Sequence, residues 1–371
     1  MTTPPTTPAD DESRPEAALT VPRRPPAVGV PDDLQDDLAA AMELAEASVA
    51  KSTEDVYGRA FNRFAVWAEG KGLTALPAAA DTVAAYLGLM HRRNLSPSRM
   101  AVVLAAIGWR HKRANQPDPT RDERLTMVMA GKRRKDAGRP KRKARPLLAA
   151  ADGGLPGEIH ALAAAVAGDD LVAKRDRALV LLGFAGAFRR SELAALTLGD
   201  LEATPKGLLV TVRKGKGDQE GRGLVKAVVP GATHCPVRAL LEWLDALEAA
   251  TGRAAAAADG KGDLPVFVPF TRPRVEKGPD GTKMLVPVPR CEPMSDQTVV
   301  RVLKRRAAAA GLDPERISGH SLRSGLVTSA AQQGKDVLRI QALTGHKTLS
   351  ILAEYVHLAG LFDGSAGEGL L

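Results

Sequence analysis

The sequence predicts a mainly helical protein with one small β-hairpin, set in more than one domain. Three observations lead there. Alanine and leucine abound while aromatic residues make up only 4% of the 371 residues, a composition that favours helix over half-buried sheet. Most apolar positions recur at threes and fours, the helical period. Only from Leu208 to Val212 and from Leu224 to Val229 does the period change to two, as a pair of strands requires. An apolar share of 44% is enough to pack a core in each of about two or three domains.

Residues 1–31 hold eight prolines among threonines and acids. Such a segment buries too little apolar surface to offset the entropy of ordering, so a disordered tail is expected. Order should begin near Asp32, with a helical pattern through Leu38, Met42 and Leu44. Ser52 and Thr53 then offer an N-cap for a helix through Tyr57, Phe61, Phe64 and Trp67, closed by Gly70 and Gly72. Helical segments follow over Thr82 to Arg92, Ser96 to Asn115 and Pro119 to Lys132, making residues 32–132 a small helical domain.

Beyond Pro146 the helical pattern resumes from Leu155 to Ala167 and from Asp176 to Phe188, and Ser191 offers a cap for a helix through Leu193 and Leu196. The two strands are joined by a glycine-rich turn that contains Lys214 and Lys216. Cys235-Pro236 opens another helix through Trp243 and Leu247, with Cys235 expected to be a buried small apolar residue. The stretch from Thr271 to Arg290, rich in Pro and Gly, reads as a loop or irregular hairpin. A basic helix over Asp296 to Ala310 ends at Gly311, one opening at Gly319-His320 ends at Gly334, and Asp336 caps another closed by Gly345. A final helix carries Leu349, Leu352, Tyr355 and Leu358.

Net charge is +9, the footprint of a polyanion binder. Between Gly131 and Pro146 lie nine Lys or Arg against one Asp, so the rest of the chain is close to neutral. Gly138, Pro140 and Pro146 interrupt any long helix there, and residues 133–146 are expected to be an extended basic linker able to track phosphates. Lys132, Arg133, Arg134, Lys141, Arg142 and Lys143 belong to this run. In the domain before it, Lys51, Arg59, Arg63, Arg92, Arg93, Arg99, Arg110 and Lys112 suit a surface lying on a duplex backbone, although each alone suits a solvated face equally well. Cys235 and Cys291 lack metal-ligand spacing and are too few for a disulfide framework. Neither a signal peptide nor a long apolar span is evident, so a cytoplasmic protein with no membrane association is expected.

The chemistry concentrates in the last third, where His320-x-x-Arg323 and Gly345-His346 are followed by Tyr355, one of three tyrosines. A tyrosine among basic side chains is a candidate nucleophile toward a phosphodiester, because arginine and histidine neutralise the charge that builds on the phosphorus oxygens. A spacing of three puts His320 and Arg323 on one helix face. Upstream, Arg189 and Arg190 compete for a helix junction near free backbone N–H groups, with Glu192 following. Lys214, Lys216 and Lys226 are the lysines of the hairpin. Plainer readings exist for each: a surface ion pair for Arg-x-x-Glu, a capping or core role for His346, a core position for Tyr355. His346 and His357 lack the spacing of metal ligands.

Together, Arg189-x-x-Glu192, Lys216, His320-x-x-Arg323, His346 and Tyr355 resemble the catalytic set of the tyrosine recombinase (phage integrase) family in order and in short-range spacing. The resemblance covers roughly residues 32 to 360. It selects Arg189 over Arg190, and the stretch Lys216-x-Asp218-Gln219-Glu220-Gly221 selects Lys216 over the other two lysines. It implies a two-domain DNA clamp, mainly α with a small β-hairpin or sheet in the catalytic domain. Residues 32–132 would be the core-binding domain and 147–360 the catalytic domain.

The implied reaction is site-specific recombination of double-stranded DNA. Tyr355 attacks the scissile phosphate, forms a 3′-phosphotyrosyl bond and releases a 5′-hydroxyl, and strand exchange passes through a Holliday junction. Arg323 would bind non-bridging oxygens, His320 would accept the tyrosine proton or hydrogen-bond an oxygen, Lys216 would protonate the departing 5′ oxygen, and Glu192 would orient the arginine or a neighbour. A homotetramer on DNA, a monomer or weak oligomer free of it, and no metal or other cofactor are also implied. Residues 361–371, with Leu361, Phe362, Leu370 and Leu371, form a tail that could dock on a neighbouring subunit. His346 stands where some members carry tryptophan, and Phe188 where leucine is common. Two alternatives are a type IB topoisomerase-like enzyme and a non-catalytic DNA-binding regulator. Integration, excision, dimer resolution and the movement of a mobile element are not separated by these residues.

Overall fold

The computed structural model describes residues 31, 34–47, 50–139, 144–150, 157–166, 168–213, 223–252, 264–277, 283–290, 292–350 and 352–353. Outside them lie the proline-rich tail up to residue 30, Lys141 to Lys143, the hairpin turn with Lys214 and Lys216, Cys291, Tyr355 and the segment 361–371. The chain divides into two compact units, Met1–Pro140 and Lys141–Leu371.

In the first unit α1 (Gln35–Ala47), α2 (Lys51–Glu69), α3 (Ala80–Arg92), α4 (Pro97–Arg113) and α5 (Glu123–Lys135) follow in order. Helix α2 starts ahead of the expected caps Ser52 and Thr53. The Ala50 carbonyl already accepts the N–H groups of Thr53 at 2.7 Å and Glu54 at 3.1 Å, so the first turn closes without a side-chain cap. Helix α4 does use one, Ser96 Oγ accepting the Arg99 N–H at 3.3 Å with Pro97 just inside the start. The segment expected to run from Pro119 splits in two, since Asp118 caps a short 3-10 turn, Pro119–Arg121, and Asp122 then caps α5. Helix α5 continues to Lys135, into the expected linker. No proline stops it before Pro140, and Lys132, Arg133, Arg134 and Lys135 in its last turn suit the negative end of the helix dipole.

The core of this unit gathers Phe61, Phe64, Leu87, Met100, Ile107 and Leu125. Wholly buried His111 ties α4 to the chain entering α3, its Nε2 accepting the Ala78 N–H at 2.8 Å while Nδ1 donates to Ile107 O at 2.7 Å. Both ring nitrogens are satisfied, as burial requires.

The second unit holds α6 (Glu158–Ala165), α7 (Leu171–Ala185), α8 (Arg190–Ala194), α9 (Pro236–Thr251), α10 (Asp296–Ala309), α11 (Ser321–Gln332) and α12 (Val337–Thr344). Strands β1 (Leu201–Thr204), β2 (Gly207–Val212) and β3 (Leu224–Val228) form an antiparallel sheet in the order β1-β2-β3. Strand β1 is additional to the two strands expected from the sequence, its four residues being exposed or half-buried and giving no alternation. The register sets Leu208 opposite Val228, Val210 opposite Lys226 and Val212 opposite Leu224. Leu208, Val210 and Val212 therefore line the buried face of β2.

Helix α7 begins at Leu171, before the expected Asp176, because the Asp170 carboxylate caps the Val172 and Ala173 N–H groups, each at 2.9 Å. It packs on α9 across Leu179, Leu182 and Trp243, whose indole N–H donates to Val266 O at 2.8 Å. Cys235 is half-buried rather than buried, because it serves as the N-cap of α9, Sγ accepting the Arg238 N–H at 3.4 Å. The stretch read as a loop or irregular hairpin contains two paired strands, β4 (Arg274–Lys277) and β5 (Lys283–Val286). No helix among the described residues is long and apolar enough to cross a membrane.

Gly325 lets α11 lie against the chain leading into this unit. A Cβ there would fall 2.0 Å from Leu147 O, while the Leu147 N–H donates to Ser321 O at 3.1 Å. Gly325→Ala is expected to destabilise the protein by about 1–3 kcal/mol. Denaturant unfolding reads this, and an unchanged midpoint would contradict so close an approach.

Candidate active site

Helix α7 ends at Ala185 with Gly186 as its C-cap, and the chain turns through Ala187 and Phe188 to reach Arg189. Ala187 is buried with φ 48°, a left-handed conformation costing an L-residue about 1–2 kcal/mol, so its neighbours must hold the turn. Ala187 O accepts from Arg323 Nη1 at 3.0 Å and from Lys226 Nζ at 3.4 Å, and Gly186 O accepts from Lys226 Nζ at 2.9 Å. Arg189 itself, rather than Ser191, is the N-cap of α8. Its backbone N–H donates to Glu192 Oε2 at 3.0 Å, and its guanidinium pairs with Glu192 Oε1. Lys226 Nζ lies 3.7 Å from Glu192 Oε2. Burial alone would raise the Glu192 carboxyl, but Lys226 and the two Arg189 donors outweigh it and hold the group below its usual range.

Helix α11 begins at Ser321 with His320 as its N-cap, which places Arg323 in the first turn. Arg323 is only 1% exposed, and its Nη2 meets His346 Nε2 at 3.1 Å. An arginine only donates, so Nε2 accepts and the imidazole proton lies on Nδ1. Nδ1 donates to Thr344 Oγ1 at 2.8 Å, and Thr344 Oγ1 donates on to Ile340 O at 2.7 Å. Gly345, at φ 66°, ends α12 and delivers His346 to this position.

Desolvation, then the charges of Arg323 and Arg189, push His346 down to about 4, with His320 and Lys226 adding to the effect. Desolvation, Arg323 and Arg189 also lower His320. Among the described residues, Arg189, Arg323 and Lys226 face one carboxylate, Glu192, beside two neutral imidazoles. Such a donor-rich, partly desolvated group suits a phosphate on which charge develops. A neutral imidazole can also take a proton.

Arg189, Glu192, His320, Arg323 and His346 are thus brought together, while Lys216 and Tyr355 lie outside the described residues. Lys226, passed over in the sequence for Lys216, lies inside the cluster and is wholly buried. Its signal was the alternation of β3, which puts a lysine on the same inward face as Val228.

The phage integrase family model matches residues 156–360. An integrase/recombinase xerD homolog of Selenomonas ruminantium is 32% identical over 326 residues, 86% of this chain and 86% of that one. The chain belongs to the phage integrase family of tyrosine recombinases. The tyrosine recombinase XerD of Xanthomonas axonopodis pv. citri is 28% identical over 318 residues, 85% of this chain and 90% of that one. A λ integrase (75–356) dimer bound to a COC′ core site covers 86% of this chain and 93% of its own, at 18% identity and a TM-score of 0.49.

The recombinase, a DNA strand-transferring enzyme, carries many of its expected DNA-contacting cations on the surface of its first unit. Lys51, Arg59, Arg63, Arg92, Arg93, Arg99, Lys112, Arg133 and Arg134 are exposed, and Arg110 lies half-buried over the Phe61 ring. Burial raises the Tyr86 phenol, and the charges of Arg63, Arg93 and Arg99 oppose that rise. Positive charges on α2, at the end of α3 and at the start of α4 therefore all act on one side chain. Lys132 departs from the expected set. It is 3% exposed, with Nζ 2.9 Å from Asp136 Oδ2, because the helical run turns it inward one turn before its partner. Lys141, Arg142 and Lys143 lie outside the described residues.

His346 also sets a pH dependence. Its pKa falls from 6.5 to about 4 in the folded recombinase, so its contribution to stability is complete above 6.5 and is lost as pH falls toward 4, where the unfolded chain binds the proton first. Glu192, lowered from 4.5, adds a loss of the same sign at still lower pH. Melting from pH 7.5 to pH 5 is expected to show a smaller drop for His346→Gln than for the wild type. Equal drops would contradict the assignment.

Proposed function

We propose that the recombinase cuts and rejoins duplex DNA at specific sites with Tyr355 as nucleophile. The tyrosine oxygen bonds to the scissile phosphorus as the P–O5′ bond breaks, leaving a 3′-phosphotyrosyl link and a 5′-hydroxyl. His320 takes the tyrosine proton, Lys216 supplies one to the departing 5′ oxygen, and Arg189 and Arg323 neutralise the non-bridging oxygens. His346 orients Arg323. Attack by a 5′-hydroxyl from a partner duplex reverses the step, so the bond energy is conserved and no external energy source is required. Two rounds of exchange through a Holliday junction would occur in a tetramer on DNA, with the exposed cations of the first unit holding the duplex backbone.

The observation that carries this reading is the convergence of Arg189, Arg323, His320 and His346 in one field of positive charge. The test incubates wild type and Tyr355→Phe with sheared genomic DNA, then captures protein under denaturing conditions and sequences the attached ends. Adducts clustered at one or a few inverted-repeat sites, lost in Tyr355→Phe, are expected. Adducts scattered without site preference would instead fit a relaxing enzyme and overturn site specificity.

A further inference from the structure

The chemistry proposed above leaves Lys226 without a part, although it is wholly buried at the centre of the cluster. An ammonium loses its hydration on burial, and only well-placed acceptors offset that loss. Each acceptor here belongs to the segment that carries Arg189. Gly186 O lies 2.9 Å from Nζ and Ala187 O 3.4 Å, and the second of these carbonyls also accepts from Arg323. Glu192 Oε2 lies at 3.7 Å, while Oε1 of the same carboxylate pairs with Arg189. The Phe188 ring centroid, 4.8 Å away, closes another side. Pairing of Lys226 with Val210 in β2 fixes the base of the side chain in the sheet.

We propose that Lys226 is a positioning residue which, through the Gly186 and Ala187 carbonyls and the Glu192 carboxylate, holds Arg189 and Arg323 at the separation one phosphate requires. The inference rests on the proposed function. The ammonium bonds backbone carbonyls inside the fold, so it acts through the two arginines, and proton donation stays with Lys216. It also explains how a left-handed alanine persists beside Arg189: two cations grip the carbonyl of that same residue. Burial lowers Lys226 to about 8, with Glu192 opposing the shift, so the amine is charged at neutral pH and its grip is ionic.

The experiment uses suicide duplexes carrying the cleavage site that adduct sequencing defines, with the scissile group as phosphate, methylphosphonate or 5′-bridging phosphorothiolate. Per molecule of folded, DNA-bound enzyme, Lys226→Met is expected to cleave the phosphate about 10–100-fold more slowly, with melting lowered because the buried Glu192 carboxylate loses its cation. Lys226→Gln, which keeps an N–H donor, should recover part of the loss. Methylphosphonate leaves less charge for the arginines to neutralise and should narrow the gap. Bridging sulfur leaves without a proton and should not.

Full restoration by sulfur would make Lys226 the proton donor and overturn the inference. So would an equal loss on all three substrates that tracks a loss of folded protein. Wild type and Lys226→Met cleaving at the same rate would overturn this inference alone. A wild type that cleaves none of the substrates would overturn the proposed function and this inference with it.

Discussion

Replacing Arg323 with lysine is expected to slow DNA cleavage by about 100–1,000-fold, the range found when one preorganised donor to a developing anion is lost. Arg323 uses two arms of its planar fork on two different partners, Ala187 O at 3.0 Å and His346 Nε2 at 3.1 Å. An ammonium on a shorter stem cannot span both and still face a phosphate. The substitution also frees His346 and removes one of the two clamps on the left-handed Ala187. Arg323→Ala should cost more in stability, since it empties a site that is 1% exposed. Single-turnover cleavage of a suicide duplex, with melting as the control, separates the two effects. A lysine variant that cleaves within a few-fold of wild type would contradict the role given to the fork.

Asp176→Asn is expected to destabilise the second unit by about 3–5 kcal/mol, the usual cost of breaking a buried ion pair by removing one partner. Asp176 is fully buried and accepts from Arg175 at 2.7 Å, Arg305 at 2.6 Å and Arg306 at 2.7 Å. Arg175 is itself 4% exposed, and burial lowers its pKa against the pull of Asp176. Without the carboxylate, three guanidinium groups converge with no anion between them, and the tie from α7 to α10 is lost. The melting temperature should drop by roughly 10 °C. Arg305→Met, at a side chain 55% exposed, should matter far less because water screens that arm. A change below about 1 kcal/mol for Asp176→Asn would show that the network is not what joins the two helices.

The sequence was most readable where structure is local. Gly311, Gly334 and Gly345 end their helices with positive φ, as apolar periodicity and glycine placement suggest. The short spacings Arg189-x-x-Glu192 and His320-x-x-Arg323 each sit in one turn of helix, so their geometry follows from chain order. What stayed illegible depends on distant partners. Lys226 meets carbonyls some 40 positions earlier, and Asp176 meets arginines about 130 positions later, separations no periodic pattern encodes. Lys132 looked like part of a phosphate-tracking run, yet a single turn of helix pointed it at Asp136. Strand β1 is too short and too exposed to alternate.

Mass spectrometry of the trapped protein–DNA adduct, after digestion with protease and nuclease, identifies the nucleophile itself. A nucleotide joined through its 3′ phosphate to the peptide containing Tyr355 is the expected result, absent in Tyr355→Phe. A nucleotide attached through a 5′ phosphate, or to any other residue, would contradict the assignment of Tyr355 as the nucleophile served by Arg189, His320, Arg323 and His346.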